Sequence, residues 1–464
     1  MTDQRRKITA PKIPRPKING PKVNGLTRRV ALLLPIATLP GCSLWDAWFG
    51  TDDKKPLPGK REPVIAVRRG LEADKSAARK VTLPPPAERA EWPQEGGVPS
   101  HVVGHPALRA TVSRSWSSGI GSGGGYRRKI TAQPVVSGGR VFTMDSEAVV
   151  RAFDIAGGSQ IWSFDTEGDD TDTTNVGGGI AADGGMLYVT TGRGDLLGLD
   201  AATGNVKWRV ALGVSARSAP TVGEGKLFFT TIDNHLQGRA TADGKLLWSY
   251  QAGTAETLVL GMPAPAYVDG LVVTGFGSGE LAAVRASSGT AAWADSLAAA
   301  RGRNSLADLS AIRGRPAVKD GRVFATSLGG LVLSLDLRSG RRLWEREITS
   351  AESPLVAGNW VFVLTPDAQV AALAAEDGAI AWVTQLDGFE NMEKRRDPIS
   401  YVGPVLAGDR LLVGGSHDKA LALSPYTGAV LGEQDLPGKA SLAPTVAGGT
   451  LYVLTDDATL SAFR

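Results

Sequence analysis

Cysteine is almost missing from this 464-residue chain. Cys42 is the only one, which excludes an internal disulfide and any thiolate metal cluster. Histidine is nearly as scarce. His101, His105, His235 and His417 show no metal-ligand spacing, and the nearest pair, His101 and His105, has no acidic partner, so all four read as ordinary surface residues. The folded part also lacks excess basic charge. Residues 1–41 carry nine basic side chains against the single acid Asp3, or +8 of a formal total of +4, which leaves −4 for the remainder. A nucleic-acid binder needs a basic stripe on its folded surface, and none is visible. Aromatic residues make up only 6%, yet 11 of them are Trp, and Gly is abundant at 58.

The first forty residues read as an address. Basic residues lead into an apolar run at 30–39 that is half the roughly 20 residues needed to span a bilayer. It ends in Leu39-Pro40-Gly41-Cys42, which resembles a bacterial lipobox, so residues 1–41 are expected to be a lipoprotein signal peptide and Cys42 the acylated residue. Thr27-Arg28-Arg29-Val30 also resembles a twin-arginine export signal. Residues 42–108 are rich in Pro and charge, including Pro84-Pro85-Pro86, with little periodicity. Such a composition predicts a flexible tether.

From residue 109 to 464 one pattern recurs: Pro, Gly, an apolar strand, a second strand ending near Asp, a Gly turn, then Trp. The fifth copy is cleanest, with Pro316, Gly321, Val323-Phe324, Leu335-Asp336, Ser339-Gly340 and Trp344. Trp162, Trp208, Trp248, Trp293 and Trp382 mark other copies, while the seventh has Gly432 near the Trp position. Steps of 38 to 51 residues between successive Trp suit four-stranded propeller blades, which must stack radially to bury both faces. The eighth copy lacks its last strand and Trp, whereas Ser113-Arg114-Ser115-Trp116 stands alone before the first. The expectation is an all-β fold: an eight-bladed β-propeller of four-stranded antiparallel blades, its N-terminal strand closing the last blade. The Trp residues should sit between blades, where a rigid ring buries much area at little entropic cost.

The Gly-x-x-x-Trp blade resembles the propeller family shared by PQQ-dependent dehydrogenases and BamB lipoproteins. Trp92-Pro93-Gln94-Glu95-Gly96-Gly97, Arg301-Gly302-Arg303-Asn304-Ser305-Leu306 and Asp397-Pro398-Ile399-Ser400 with Gly403-Pro404-Val405-Leu406 are similar to segments of BamB-type proteins. The resemblance implies a non-catalytic scaffold at the periplasmic face of the outer membrane. Its implied partners are the POTRA domains of BamA and the other assembly subunits, with the scaffold monomeric within the complex. It implies no cofactor and no nucleic acid. The implied partner-binding residues are Leu258, Val259 and Leu260 in one inter-blade loop, and Arg301, Arg303 and Asp308 in the next. Both loops depart from the family pattern: Leu260 replaces a frequent Arg, and Ala311 and Arg313 stand where an acidic pair is usual. By pattern alone Leu258 to Leu260 equally suit an ordinary inner strand.

Two rivals use the same fold. A quinoprotein enzyme would need paired cysteines at its cofactor, which one Cys cannot supply. A cell-wall or carbohydrate-binding propeller would need aromatics on one face, whereas the Trp residues are committed to blade packing. Asp169-Asp170-Thr171-Asp172 lacks the Glu that closes a Ca²⁺ loop. The stretches 121–125 and 177–179 are Gly-rich without a following helix or Lys-Ser/Thr, and are expected to be flexible loops. Residues 390–397 form a long mixed-charge loop suited to a solvated surface or a partner.

Overall fold

In the computed structural model the residues described are 71–74, 79–125, 128–167, 175–255, 261–297 and 310–464. Cys42 with its leader and the acidic loop 169–172 lie outside them. The described residues contain no helix. They form eight four-stranded antiparallel sheets and one small hairpin, Phe389–Asn391 with Arg396–Pro398. The sheets are the blades of a β-propeller.

Seven blades use four consecutive strands, as in Val135–Ser137, Arg140–Met144, Val149–Asp154 and Gln160–Asp165. The eighth is composite. Its inner strands are Thr445–Ala447, Thr450–Leu454 and Thr459–Phe463, and its outermost is Arg114–Gly119 from the other end of the fold. Trp116 pairs with Ala462, and Ser117 with Ser461 through a hydroxyl hydrogen bond of 2.8 Å. Blade eight joins blade one where Thr445 Oγ1 donates to the Pro134 carbonyl at 2.8 Å. The expected closure is therefore present.

The blade interfaces follow one rule. Each Trp stands on an outermost strand opposite a small residue: Ala152 for Trp162, Gly198 for Trp208, Gly238 for Trp248, Ala283 for Trp293, Ser334 for Trp344 and Ala372 for Trp382. A β-bulge at the residue before each Trp bends the outer strand. The ring then crosses to the next blade and lies on the glycine of its last hairpin turn: Trp116 on Gly158, Trp162 on Gly204, Trp208 on Gly244, Trp248 on Gly289, Trp293 on Gly340, Trp344 on Gly378 and Trp382 on Gly428. Glycine is required twice over there. At Gly204 and Gly378 φ is +75° and +70°, and an added Cβ would come within 2.7 Å of the indole. Six of the seven indole N–H groups also donate to a backbone carbonyl of the neighbouring blade, for example Trp293 to Leu337 at 2.8 Å and Trp344 to Ala375 at 2.9 Å.

Residues 79–108 correct the flexible-tether expectation. This segment lies on the ring as a strap. Trp92 exchanges two backbone hydrogen bonds of 2.8 Å with Val136 in blade one, and the Pro93 carbonyl accepts from Ala182 N–H in blade two at 2.6 Å. Gln94 Oε1 accepts from Val222 N–H in blade three at 3.0 Å. The Pro99 and Ser100 carbonyls accept from Tyr267 and Val318 in blades four and five at 2.7 and 2.9 Å. Pro106 and Arg89 carbonyls reach Gly408 and Gly448 in blades seven and eight, while Val81 joins the core of blade six. Low hydrophobicity misleads here because the strap is held chiefly by its backbone. Blades one to five offer an N–H on the innermost strand and blades seven and eight one in the turn that follows it, and an extended Pro-rich chain can satisfy them in turn.

Replacing one ring tests the interface rule. Trp344→Ala should destabilise the protein by about 3–5 kcal/mol in urea unfolding. Gly378→Ala should also destabilise it, because its methyl group meets the same ring. A loss below about 1 kcal/mol for Trp344→Ala would show that the junctions rest on something else.

Candidate functional site

The order of strands within a blade decides which face is free. In four antiparallel strands the first begins, and the last ends, on the same side. All blade-to-blade connectors therefore open on one face of the ring. The turns between first and second strands open on the other, and there the strap runs past Gly358, Gly408 and Gly448. The connector face is the candidate site.

Its longest connectors join blades eight and one (120–134), three and four (252–265), four and five (297–316), and six and seven (386–400). The six expected partner-binding residues, Leu258, Val259, Leu260, Arg301, Arg303 and Asp308, all lie outside the described residues. The roots of their loops are fixed. Met262 N–H donates to the Arg217 carbonyl at 3.3 Å. Glu280 holds the first root, accepting from Gly253 N–H at 3.0 Å and from the Tyr250 hydroxyl at 2.6 Å. Burial and the Glu280 carboxylate both push the Tyr250 phenol well above its ordinary value, so it stays a donor. The second loop is anchored by Ile312 N–H to the Phe276 carbonyl at 3.1 Å and by Ser310 Oγ to the Ser278 carbonyl at 3.1 Å. Ala311 and Ile312 are buried and Arg313 is exposed. Of the two departures from the acidic pattern, only Arg313 therefore faces solvent.

Beside Arg313 sits Glu352, in the connector between blades five and six. Its carboxylate accepts from Gly403 N–H at 3.1 Å. Desolvation raises its pKa, opposed by Arg313, the Gly403 hydrogen bond and Arg315. The mixed-charge segment 390–397 contributes the small hairpin, with Phe389 paired to Pro398 and Met392 about half exposed. These side chains all lie in connectors on one face of the ring. Among the described residues no three His, Cys, Asp or Glu side chains gather to hold a metal ion.

Two other expectations are corrected. Gly178 and Gly179 begin the first strand of blade two, Gly178–Asp183, where a Cβ on Gly179 would strike Ala219 at 2.5 Å, so they are close-packing residues and not a loop. His101 and His105 are buried in the strap. His105 Nδ1 meets the Pro84 carbonyl at 2.8 Å, and its Nε2 accepts from Asp409 N–H at 2.9 Å. His101 Nδ1 donates to the Pro316 carbonyl at 2.7 Å, leaving Nε2 without a partner. Desolvation first, and Arg315 second, push its pKa down to about 3 against the pull of that carbonyl. The strap residues that seat on the ring, Trp92, Gln94, Glu95 and His101, escaped the sequence reading as structural anchors. Their signal was the aromatic and polar cluster at 92–97 inside a Pro-rich stretch. Glu95 pairs with Arg315, and Gln133 accepts from Gly96 N–H at 3.0 Å while donating to the Ala443 carbonyl at 3.0 Å.

A family model described as "Outer membrane protein assembly factor BamB" matches residues 146–384 and 391–464. The chain belongs to the BamB family. Among curated members, the Yersinia pestis protein is 28% identical over 362 residues, covering 76% of this chain and 88% of the relative. The Escherichia coli K12 protein is 27% identical over 356 residues, covering 75% and 88%. Among solved structures, BamB from Moraxella catarrhalis matches with a TM-score of 0.64 at 21% identity, covering 76% of this chain and all of that one. A quinohemoprotein alcohol dehydrogenase from Comamonas testosteroni matches with a TM-score of 0.62 at 15% identity, covering 81% of each. Both structural matches speak to the fold alone. The family is an assembly factor's, and the dehydrogenase likeness brings no enzyme activity with it.

The His101 geometry sets an acid sensitivity. The unfolded chain protonates this ring near pH 6.5, whereas the folded one holds it neutral down to about pH 3. Stability present above pH 6.5 is therefore lost as pH falls toward 3, at up to ~1.4 kcal/mol per unit. His101→Asn, which tolerates the φ of 58°, should flatten that part of the profile. Equal acid losses in both proteins, by urea unfolding at pH 7 and 4.5, would exclude the ring as their source.

Proposed function

We propose that the protein is a lipid-anchored scaffold at the periplasmic face of the outer membrane. In this reading it holds the POTRA region of BamA by its connector face and so assists insertion of outer-membrane proteins. Membership of the BamB family supports the assembly role. The choice of face rests on one observation. The strap runs along the opposite side, and the inter-blade loops 252–265 and 297–316 spring from the connector side at the two ends of blade four. Loops on a rigid scaffold are where partners bind, and adjacent roots hold these two in fixed register.

Acylation of Cys42 would supply the anchor, with the stretch after it as spacer. Each buried methylene contributes about 0.8 kcal/mol, so a multiply acylated Cys suffices without a membrane-crossing helix. No helix among the described residues is long and apolar enough to cross. The aliphatic run Leu258 to Leu260 would supply apolar contact and the basic pair Arg301 and Arg303 charge, the usual division of labour at a protein interface.

Affinity capture of the acylated protein from solubilised membranes tests this reading. Wild type should retain BamA. Leu260→Glu and Arg303→Glu should each lower retention at least tenfold, while Asp243→Arg, in an exposed turn on the strap side, leaves it unchanged. Undiminished retention in both loop variants would remove the connector face from the interaction, and absence of BamA from the wild-type eluate would remove the partner.

A further inference from the structure

Seven of the eight junctions are filled by an indole; the eighth, between blades seven and eight, is not. Blade seven carries Gly432 opposite Ala422, where every other blade places Trp opposite a small residue. Its second strand carries Leu412, where six of the other blades place the Phe or Tyr that lies against their own Trp at 5.9–6.2 Å. The receiving side is incomplete too. Blade eight has no turn between its third and outermost strands, because these come from opposite ends of the fold, so no turn glycine stands ready to receive a ring. Closing the ring with the N-terminal strand and omitting the indole are thus two sides of one arrangement.

The omission leaves an apolar cavity of about 420 Å³ lined by Leu412, Ala422, Leu431, Leu451, Val453 and Phe463. Its consequences are visible in exposure. The third strand of blade seven, Lys419–Leu423, is half-buried at Ala420, Leu421 and Ala422, whereas its counterparts in the other blades are largely buried. The outermost strand, Val430–Asp435, is exposed along all six residues. Val430 and Leu431, at 54% and 56%, are the most exposed of the large apolar residues among those described. That strand has no further neighbour in its sheet, so its outer backbone groups are free to pair.

We infer that the junction between blades seven and eight is a binding site for an aromatic side chain carried on an extended segment of a partner polypeptide. The ring class follows from the seven other junctions, each of which takes an indole from the outermost strand, and from the apolar cavity that stands where the eighth would lie. The polypeptide follows from the free edge. A strand added beside Val430–Asp435 lies about 4.8 Å away, close enough for its side chain to enter the cavity that Gly432 leaves open. Exposed Val430 and Leu431 then supply an apolar rim. The site lies at a different junction from the loops of the proposed BamA contact, so the two can be separated by mutation.

Gly432→Trp provides the test, since an added side chain there meets nothing within 4 Å and the backbone is outside the left-handed region. The probe is the acetylated, amidated hexapeptide Val-Lys-Trp-Arg-Val-Ala, which reproduces the outer strand Val206–Ala211 of blade two, with a Ser-for-Trp version as control. Calorimetry on the full chain should show the Trp peptide binding at least tenfold tighter than the Ser peptide, as burial of one aromatic ring predicts. Gly432→Trp should abolish that difference, with a thermal midpoint at or above wild type. Leu431→Asp, at the exposed rim, should weaken binding at least tenfold and serves as a second variant. BamA capture should be unaffected by either. Equal binding of the two peptides, or undiminished binding to Gly432→Trp, would overturn the site. Free N-acetyl-tryptophanamide binding as tightly as the peptide would overturn the polypeptide assignment. Dimerisation lost in Gly432→Trp would assign the groove to a second copy instead.

Discussion

Everything in this molecule depends on a flat indole resting on a residue with no side chain. Four-stranded sheets have two apolar faces, and a single blade cannot bury either. The Trp on each outermost strand bridges to the neighbour, and the turn glycine opposite allows the approach. Hydrogen bonding fixes the angle, because the indole N–H finds a carbonyl just beyond the neighbour's third strand. Buried area supplies most of the energy, at roughly 25 cal/mol per Å². Small residues behind the ring and a bulge at the residue before it are the local adjustments that let a large side chain repeat around a circle.

The strap adds a second constraint across the first. Blade junctions tie each sheet to its neighbours, whereas the strap touches the innermost strands of nearly all of them in one pass. It also breaks the symmetry of the ring. A propeller has two faces of similar chemistry, and here one is occupied by the protein's own backbone. The connector side keeps its loops, whose roots are pinned by Glu280, Ser278 and Phe276.

How much of this was legible in the sequence differs by element. Blade number, closure and the seven ring positions could be read because they repeat, and Gly432 was visible as a gap for the same reason. The strap could not be read, because it uses backbone groups that every residue possesses and its contacts follow no repeat along its own sequence. Trp92 and His101 look like tether residues until their partners, distant in sequence, are known. On the connector face, the family resemblance singled out two loops, but the burial of Ala311 depends on packing that the sequence does not display. Glu352 was missed for a like reason. Its carboxylate becomes notable only once Arg313 and Gly403 are brought beside it.

The composite eighth blade has a consequence for how the chain reaches its working state. Ser117 and Ser461, which meet in that sheet, are separated by 344 positions along the polypeptide. Pairs so remote form late, since loop-closure entropy must be met before they contribute. In a chain that forms from its N-terminus, the strand Arg114–Gly119 therefore has no partner within its sheet until the final strand, Thr459–Phe463, is present. A product truncated before Thr459 leaves Tyr452 and its neighbours uncovered, an invitation to proteases. Complete delivery of the polypeptide is thus written into the topology as the condition for a closed ring.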